Sequence, residues 1–218
     1  MNDLPRVLLT GFEPFGGETI NPSWEAARAL HEVVIAGHQV VAHRLPVVFG
    51  VALESLRTAL DTHRPALVLA VGQAGGRAAI ALERVAINLI DARIADNSGE
   101  QPIDRPIDPH GAPAHFSTLP LKAIRSALLA AGIPAELSLS AGSFVCNQVF
   151  YGLMARLAER PGACGGFVHI PYLPQQAARR AEAAPSMALG QVVDALRIAI
   201  EVSLQRNDDL RIPGGTIA

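Results

Sequence analysis

Short runs of unbroken apolar residues alternate along this chain with longer stretches of helical period. The runs lie at residues 7–9, 40–42, 67–71, 86–90, 137–139 and 167–170. A strand exposed on one face alternates apolar and polar residues. Unbroken runs instead predict strands buried on both faces. The intervening stretches, 23–34, 51–62, 120–131, 146–159 and 187–204, carry apolar residues at helical spacing. In the last of them Leu189, Val192, Val193, Leu196 and Ile200 fall on one stripe. Strand–helix alternation of this kind predicts an α/β fold. Its form is a three-layer sandwich, a largely parallel twisted sheet with helices on both faces. At 218 residues the chain fits one domain over 1–218, with a tail from about 206 that loses periodicity and is expected to fray. Half of the residues are hydrophobic and 17% are charged, which excludes a disordered chain.

Charge and cysteine content narrow the function classes. A net charge of −2 leaves no basic footprint for nucleic acid or an anionic membrane. The first six residues, MNDLPR, lack the basic-then-apolar pattern of a signal peptide, and no apolar run approaches the ~18 residues of a span. Two cysteines are too few for a disulfide framework. These features predict a cytoplasmic protein that engages neither nucleic acid nor membrane. No C-x₂-C or HExxH spacing occurs, so no metal site is expected. Residues 95–117, rich in Pro, Asp and Gly, break the alternation and read as a lid or a surface excursion.

The chemistry centres on Cys146. Residues 138–147, SLSAGSFVCN, read as strand, tight turn and helix start, which places Cys146 in or near a first helical turn. Free N–H groups and the helix dipole there favour a thiolate, the nucleophilic form. An inert buried cysteine is the commoner alternative for such a residue taken alone. Cys164 sits in a Gly-rich loop with no partner signal. Of seven histidines only His169 lies inside an apolar strand, near its end, where an open α/β sheet forms its crevice. It is the natural base for Cys146. The acid that would orient it is Glu83 or Asp91, both set in apolar stretches, and these patterns do not choose between them. The segment Gly72-Gln73-Ala74-Gly75-Gly76-Arg77 follows a strand but matches no phosphate-loop pattern.

Taken together, five segments resemble the pyroglutamyl peptidase I (pyrrolidone-carboxylate peptidase) family of cysteine peptidases. They are LLTGFEPFGGETINPSWEA (8–26), VGQAGGR (71–77), ERVAINLIDARIADNSGEQP (83–102), AGSFVCNQVFYGLM (141–154) and GGFVHIPYLPQQ (165–176). The resemblance implies removal of an N-terminal pyroglutamyl residue from peptides by a Cys-His-Glu triad, with no cofactor. Carried across by motif, the nucleophile is Cys146, the base His169 and the acid Glu83. It also implies a substrate pocket: Phe12 and Phe15 on the ring faces, Gln73 at the polar edge, Val145 in the lining and Arg93 near the scissile carbonyl. Such a pocket suits a flat, uncharged lactam. Family members are often tetramers, which implies a homo-oligomer. Two rival readings stand beside this one: a phosphorylase-like transferase using residues 72–77, and a silent binder of N-blocked peptides.

Overall fold

A computed structural model of the chain describes residues 4–206 and 208–215. In chain order the first half forms β1 (Arg6–Phe12), α1 (Pro22–Ala29), β2 (Val34–Ile35), β3 (His38–Leu45), α2 (Val51–His63), β4 (Leu67–Gln73), β5 (Ile80–Glu83) and β6 (Val85–Ile87). There follow β7 (Ala114–Phe116), α3 (Leu121–Ala130), β8 (Ala135–Ser138), α4 (Val145–Ala158), β9 (Cys164–Ile170), α5 (Pro174–Ala177) and α6 (Leu189–Gln205).

The unbroken apolar runs are explained by a sheet covered on both sides. Along β1, Val7 and Leu9 join one buried cluster while Leu8 and Phe12 join the other. The first cluster brings in Ala26 of α1, Ile124 of α3 and Val192 and Leu196 of α6. The second brings in Leu56 of α2 and Val149, Phe150 and Leu153 of α4. Among the described residues the main sheet has seven strands in the order β2-β3-β1-β4-β9-β5-β8. Pairings β1–β3, β1–β4, β4–β9 and β5–β8 are parallel; β2–β3 and β5–β9 are antiparallel. The expected α/β sandwich with a largely parallel sheet is therefore the observed fold. No helix of the described residues is long and apolar enough to cross a membrane.

Local departures have local causes. The first helix stops at its C-cap Leu30 rather than running to 34. Positive φ at Glu32 (64°), Ala36 (46°) and Gly37 (77°) turns the chain back so that β2 pairs with β3. The apolar run at 86–90 is not a strand of the main sheet. That place belongs to β5, whose final residue Glu83 interrupts the apolar pattern, while β6 pairs with β7 in a separate two-stranded ribbon. Residues 95–117 are tied down as well. The Asp96 carboxylate accepts from the backbone N–H of Phe49, Ser98 and Glu100. Asn97 donates from its backbone to Val47 and from its side chain to Glu13. Beyond α6 the tail is aperiodic, and Asp209 accepts from the backbone N–H of Lys122 and Ala123 at the start of α3. Pro120, the N-cap of α3, makes no side-chain cap hydrogen bond, so Asp209 serves that helix from a distance in sequence. Of the tail expected to fray, 207 and 216–218 lie outside the described residues.

Candidate active site

The C-terminal ends of β4 and β9 meet the start of α4 at a cleft. In the β4–β9 register Gly72 lies opposite His169. A Cβ on Gly72 would stand 2.9 Å from both Cys146 Sγ and the Phe167 ring. The missing side chain is what lets the Cys146 thiol lie over β4 beside the position of His169. Gly11 makes a similar close approach at the end of β1, where an added Cβ would stand 2.4 Å from the Ser23 carbonyl oxygen. That contact seats the turn after β1 on the start of α1.

The first turn of α4 is held by its own sequence. Gly142, at φ 77°, makes the turn out of β8, and the extended N-cap Phe144 supplies no side-chain cap. Cys146 is the second residue of the helix. Asn147 is buried; its Oδ1 accepts from the Ile87 N–H at 3.1 Å and its Nδ2 donates to the carbonyls of Ile87 and Leu89. Gln148 Oε1 accepts from the Gly50 N–H at 2.8 Å. These bonds pin Asn147, beside the thiol, to β6 and Gln148 to the start of α2.

His169 is 5% exposed and Glu83 is fully buried, and His169 Nδ1 meets Glu83 Oε1 at 2.8 Å. A carboxylate oxygen only accepts, so Nδ1 carries the hydrogen and Nε2 of a neutral ring keeps its lone pair. The same Oε1 accepts from Arg77 Nη1 at 3.2 Å, while Oε2 is buried without a hydrogen-bond partner among the described residues. Asp91 is exposed, and its hydrogen bonds run through its backbone to Ser143. The pairing seen at the histidine is thus with Glu83.

The thiol itself departs from the helix-start expectation. Burial pushes the Cys146 thiol up to about 12, the nearby Glu83 charge adds to the rise, and a hydrogen bond from the cysteine's own backbone N–H opposes it. Desolvation outweighs the helix N-terminus, so the resting sulfur is a neutral thiol rather than a ready thiolate.

The cleft measures about 370 Å³ and is lined by Phe15, Gln73, Ala74, Arg77, Asp91, Arg93, Ile94, residues 141–144, Cys146 and His169. Of the residues that the resemblance places in the pocket, Phe15, Gln73 and Arg93 line this cleft, and Phe12 and Val145 are not among its lining. Phe12 is 2% exposed and packs on Phe167 at 6.4 Å between ring centres; Val145 is 1% exposed in the same cluster. As the last residue of β1, Phe12 points into the layer between sheet and helices. The aromatic wall that the motif reading missed is Phe144, which lies edge-on to Phe49 at 5.2 Å and tilted against Phe15 at 6.5 Å. An aromatic two residues before the cysteine, in the turn that aims it, was the signal for it. Gln73 Oε1 accepts from Gln176 Nε2, and Gln176 Oε1 accepts from the Leu173 N–H. The phosphate-loop reading of 72–77 finds no support, since Gly72 is packed under Cys146 and Arg77 is turned onto Glu83. A wider cleft, about 680 Å³ beside Arg64, Arg156 and Arg160, lies at the other end of β4 and β9. Of its arginines, Arg156 and Arg160 are engaged with Asp61, and Arg160 also donates to the Leu60 carbonyl.

Comparison with known proteins gives the family. A family model described as pyroglutamyl peptidase matches residues 5–206. The pyrrolidone-carboxylate peptidase of Cupriavidus taiwanensis is 56% identical over 216 residues, 98% of this chain and 100% of that one. That of Klebsiella pneumoniae is 56% identical over 209 residues, 96% of this chain and 97% of that one. The crystal structure of pyroglutamyl peptidase I from Bacillus amyloliquefaciens superposes with a TM-score of 0.93 at 45% identity, covering 97% of this chain and 100% of that one. A mutant pyrrolidone carboxyl peptidase from Pyrococcus furiosus gives 0.89 at 45% identity, covering 92% and 98%. By sequence over nearly its whole length, and by fold, the chain belongs to the pyroglutamyl peptidase family.

Proposed function

We propose that this chain is a cysteine exopeptidase that removes N-terminal pyroglutamyl residues from peptides, with Cys146 as nucleophile, His169 as base and Glu83 as orienting acid. The observation that carries the reading is the buried His169–Glu83 pair beside a cleft whose floor is the Cys146 thiol. His169 Nε2 takes the proton from Cys146 as sulfur attacks the carbonyl carbon of the pyroglutamyl residue. The oxyanion that forms is met by the Cys146 backbone N–H at the start of α4, with Arg93 at the rim. His169 then returns its proton to the departing amine as the C–N bond breaks. Water, deprotonated by the same nitrogen, cleaves the thioester and restores the thiol. An N-oxyanion donor is worth about 10²–10³ in rate, so loss of Arg93 is expected to cost less than loss of Cys146.

The pocket supports a lactam. Phe15 and Phe144 offer apolar ring faces, and Gln73 offers an amide at the edge of the cleft. The Leu173 N–H must face an oxygen, so Gln176 turns its nitrogen toward Gln73, and Gln73 in turn keeps its own N–H₂ free to donate. Proline has the ring but lacks the carbonyl and carries a charge near neutral pH. Glutamine and glutamate would bring a charged α-amine into an apolar slot. A site built to hydrogen-bond a polar group rejects the analogue lacking it by ~10⁴–10⁵. The test compares kcat/KM for pyroglutamyl, prolyl and glutaminyl amides of one chromophore, with and without iodoacetamide. Selective release of the pyroglutamyl amide, lost on alkylation, is the expected result; equal rates for all three sink the pocket.

Both cysteines are free thiols, and the reaction needs one of them reduced, so we assign the enzyme to the cytoplasm. We also assign it a homo-oligomeric state, which the exposed Ile103 and Phe116 support and sedimentation would test.

A further inference from the structure

Arg77 has no part in the reaction just described, yet its guanidinium sits where three pieces of the site converge. Nη1 donates to Glu83 Oε1 at 3.2 Å and lies 3.7 Å from Glu136 Oε1 on β8. Nη2 donates to the Ser140 carbonyl at 3.4 Å. Ser140 belongs to the turn from β8 into α4, the turn that delivers Cys146. One side chain thus reaches the acid, the neighbouring strand and the segment that sets the nucleophile.

The magnitudes favour Glu83 as the partner that matters. Its side chain is fully buried, whereas that of Glu136 is 53% exposed and its attraction for Arg77 is screened by water. A buried carboxylate without a counter-charge is costly, and a neutral His169 supplies a hydrogen bond but no charge. The groups facing Glu83 are His169 on β9, the neutral Cys146 thiol on α4 and Arg77, with Glu136 behind Arg77. Arg77 is therefore the permanent cation of this set. Because Oε2 has no donor, Oε1 alone takes both His169 and Arg77. Two donors on one oxygen from different elements fix the angle at which it meets the imidazole.

We propose that Arg77 is a positioning residue, a guanidinium clamp that holds Glu83 aimed at His169 and ties it to the turn carrying Cys146. The proposal rests on the triad assigned above. It is tested on the full chain with a pyroglutamyl amide substrate, measuring R77Q, R77K and R77A beside C146A, E83Q and the surface control R28Q. The clamp predicts that R77Q lowers kcat by about 10- to 100-fold, the range for losing a hydrogen bond to a charged group, with KM changed by less than about threefold. R77K, which keeps the charge without the fork, falls between R77Q and wild type, and added guanidinium restores part of the R77A rate. R28Q, which removes an exposed pair with Glu25, leaves the rate unchanged. A wild-type kcat in R77Q with C146A and E83Q inactive overturns the clamp and leaves the triad standing. A rise in KM at constant kcat also overturns it, because Arg77 would then be touching substrate. Activity retained in C146A or E83Q removes the triad itself. Should R77Q fail to fold, R77K decides: a reduced kcat at constant KM supports the clamp, and an unchanged kcat overturns it.

Discussion

Replacing Cys146 with alanine is expected to lower kcat/KM for a pyroglutamyl amide by at least about 10⁴-fold, whereas replacing Cys164 leaves it near wild type. The two thiols differ in place rather than in chemistry. Cys146 forms part of the cleft beside His169, while Cys164 opens β9 at the far end of the strand, its sulfur directed at the Ala66 carbonyl. Serine at 146 is expected to fare little better than alanine, since its hydroxyl is a far weaker acid for the same imidazole. The protonation state adds a second measurable consequence. A thiol pushed up to about 12 by burial rests in its neutral form at pH 7. Because the shift is upward, the neutral form persists through the whole physiological range, and proton removal by His169 has to accompany attack. Iodoacetamide modification of Cys146 in the free enzyme is then expected to climb with pH without levelling before about pH 10. A plateau at neutral pH, read by mass spectrometry of the labelled peptide, would falsify the neutral-thiol picture while leaving the nucleophile assignment to the alanine variant.

The second large effect belongs to Glu83. Glu83→Gln preserves shape but replaces an acceptor-only oxygen pair with an amide that also donates. An amide N–H facing Nδ1 selects the tautomer with hydrogen on Nε2, the nitrogen that has to take the thiol proton. A comparable loss of the orienting acid in serine peptidases costs about 10⁴ in kcat. A fall of about 10³–10⁴ in kcat with little change in KM is expected here, because Glu83 lies outside the cleft lining. Asp91→Asn serves as the contrast. Asp91 lines the cleft but meets Ser143 through its backbone, so its charge is expected to matter far less. Full kcat in the Glu83 variant together with a dead Asp91 variant would reverse the assignment.

How much of this could be read from residues alone differs from element to element. Unbroken apolar runs were enough for the buried sheet, because β1 and β4 send successive side chains into two separate cores. Cys146 at the start of α4 and His169 near the end of β9 were legible for a related reason: strand–turn–helix order positions both at one edge of the sheet. The strand β5 was not legible. Its closing residue is a carboxylate, and a fully buried charge is the feature that hydrophobic pattern reads as a break. Phe12 and Phe15 look equivalent as letters, yet the first ends a strand and faces inward while the second stands in the turn beyond it. Arg77 escaped because its meaning lies in partners far off in sequence. Ser140 is 63 residues from Arg77, and no local window contains both.

Gly72 bears on how freely this enzyme can drift over generations. A single base change in a glycine codon yields alanine, serine, cysteine, valine, arginine, tryptophan, aspartate or glutamate, depending on the codon, and each of these carries a Cβ. Every such replacement would place that carbon 2.9 Å from the sulfur and from the Phe167 ring. Overpacked sites relax by shifting their neighbours, and here the neighbours are the nucleophile and the ring beneath the base. Each one-step missense change at this codon is therefore expected to displace the nucleophile or that ring, and a fall in kcat of G72A relative to wild type would measure it.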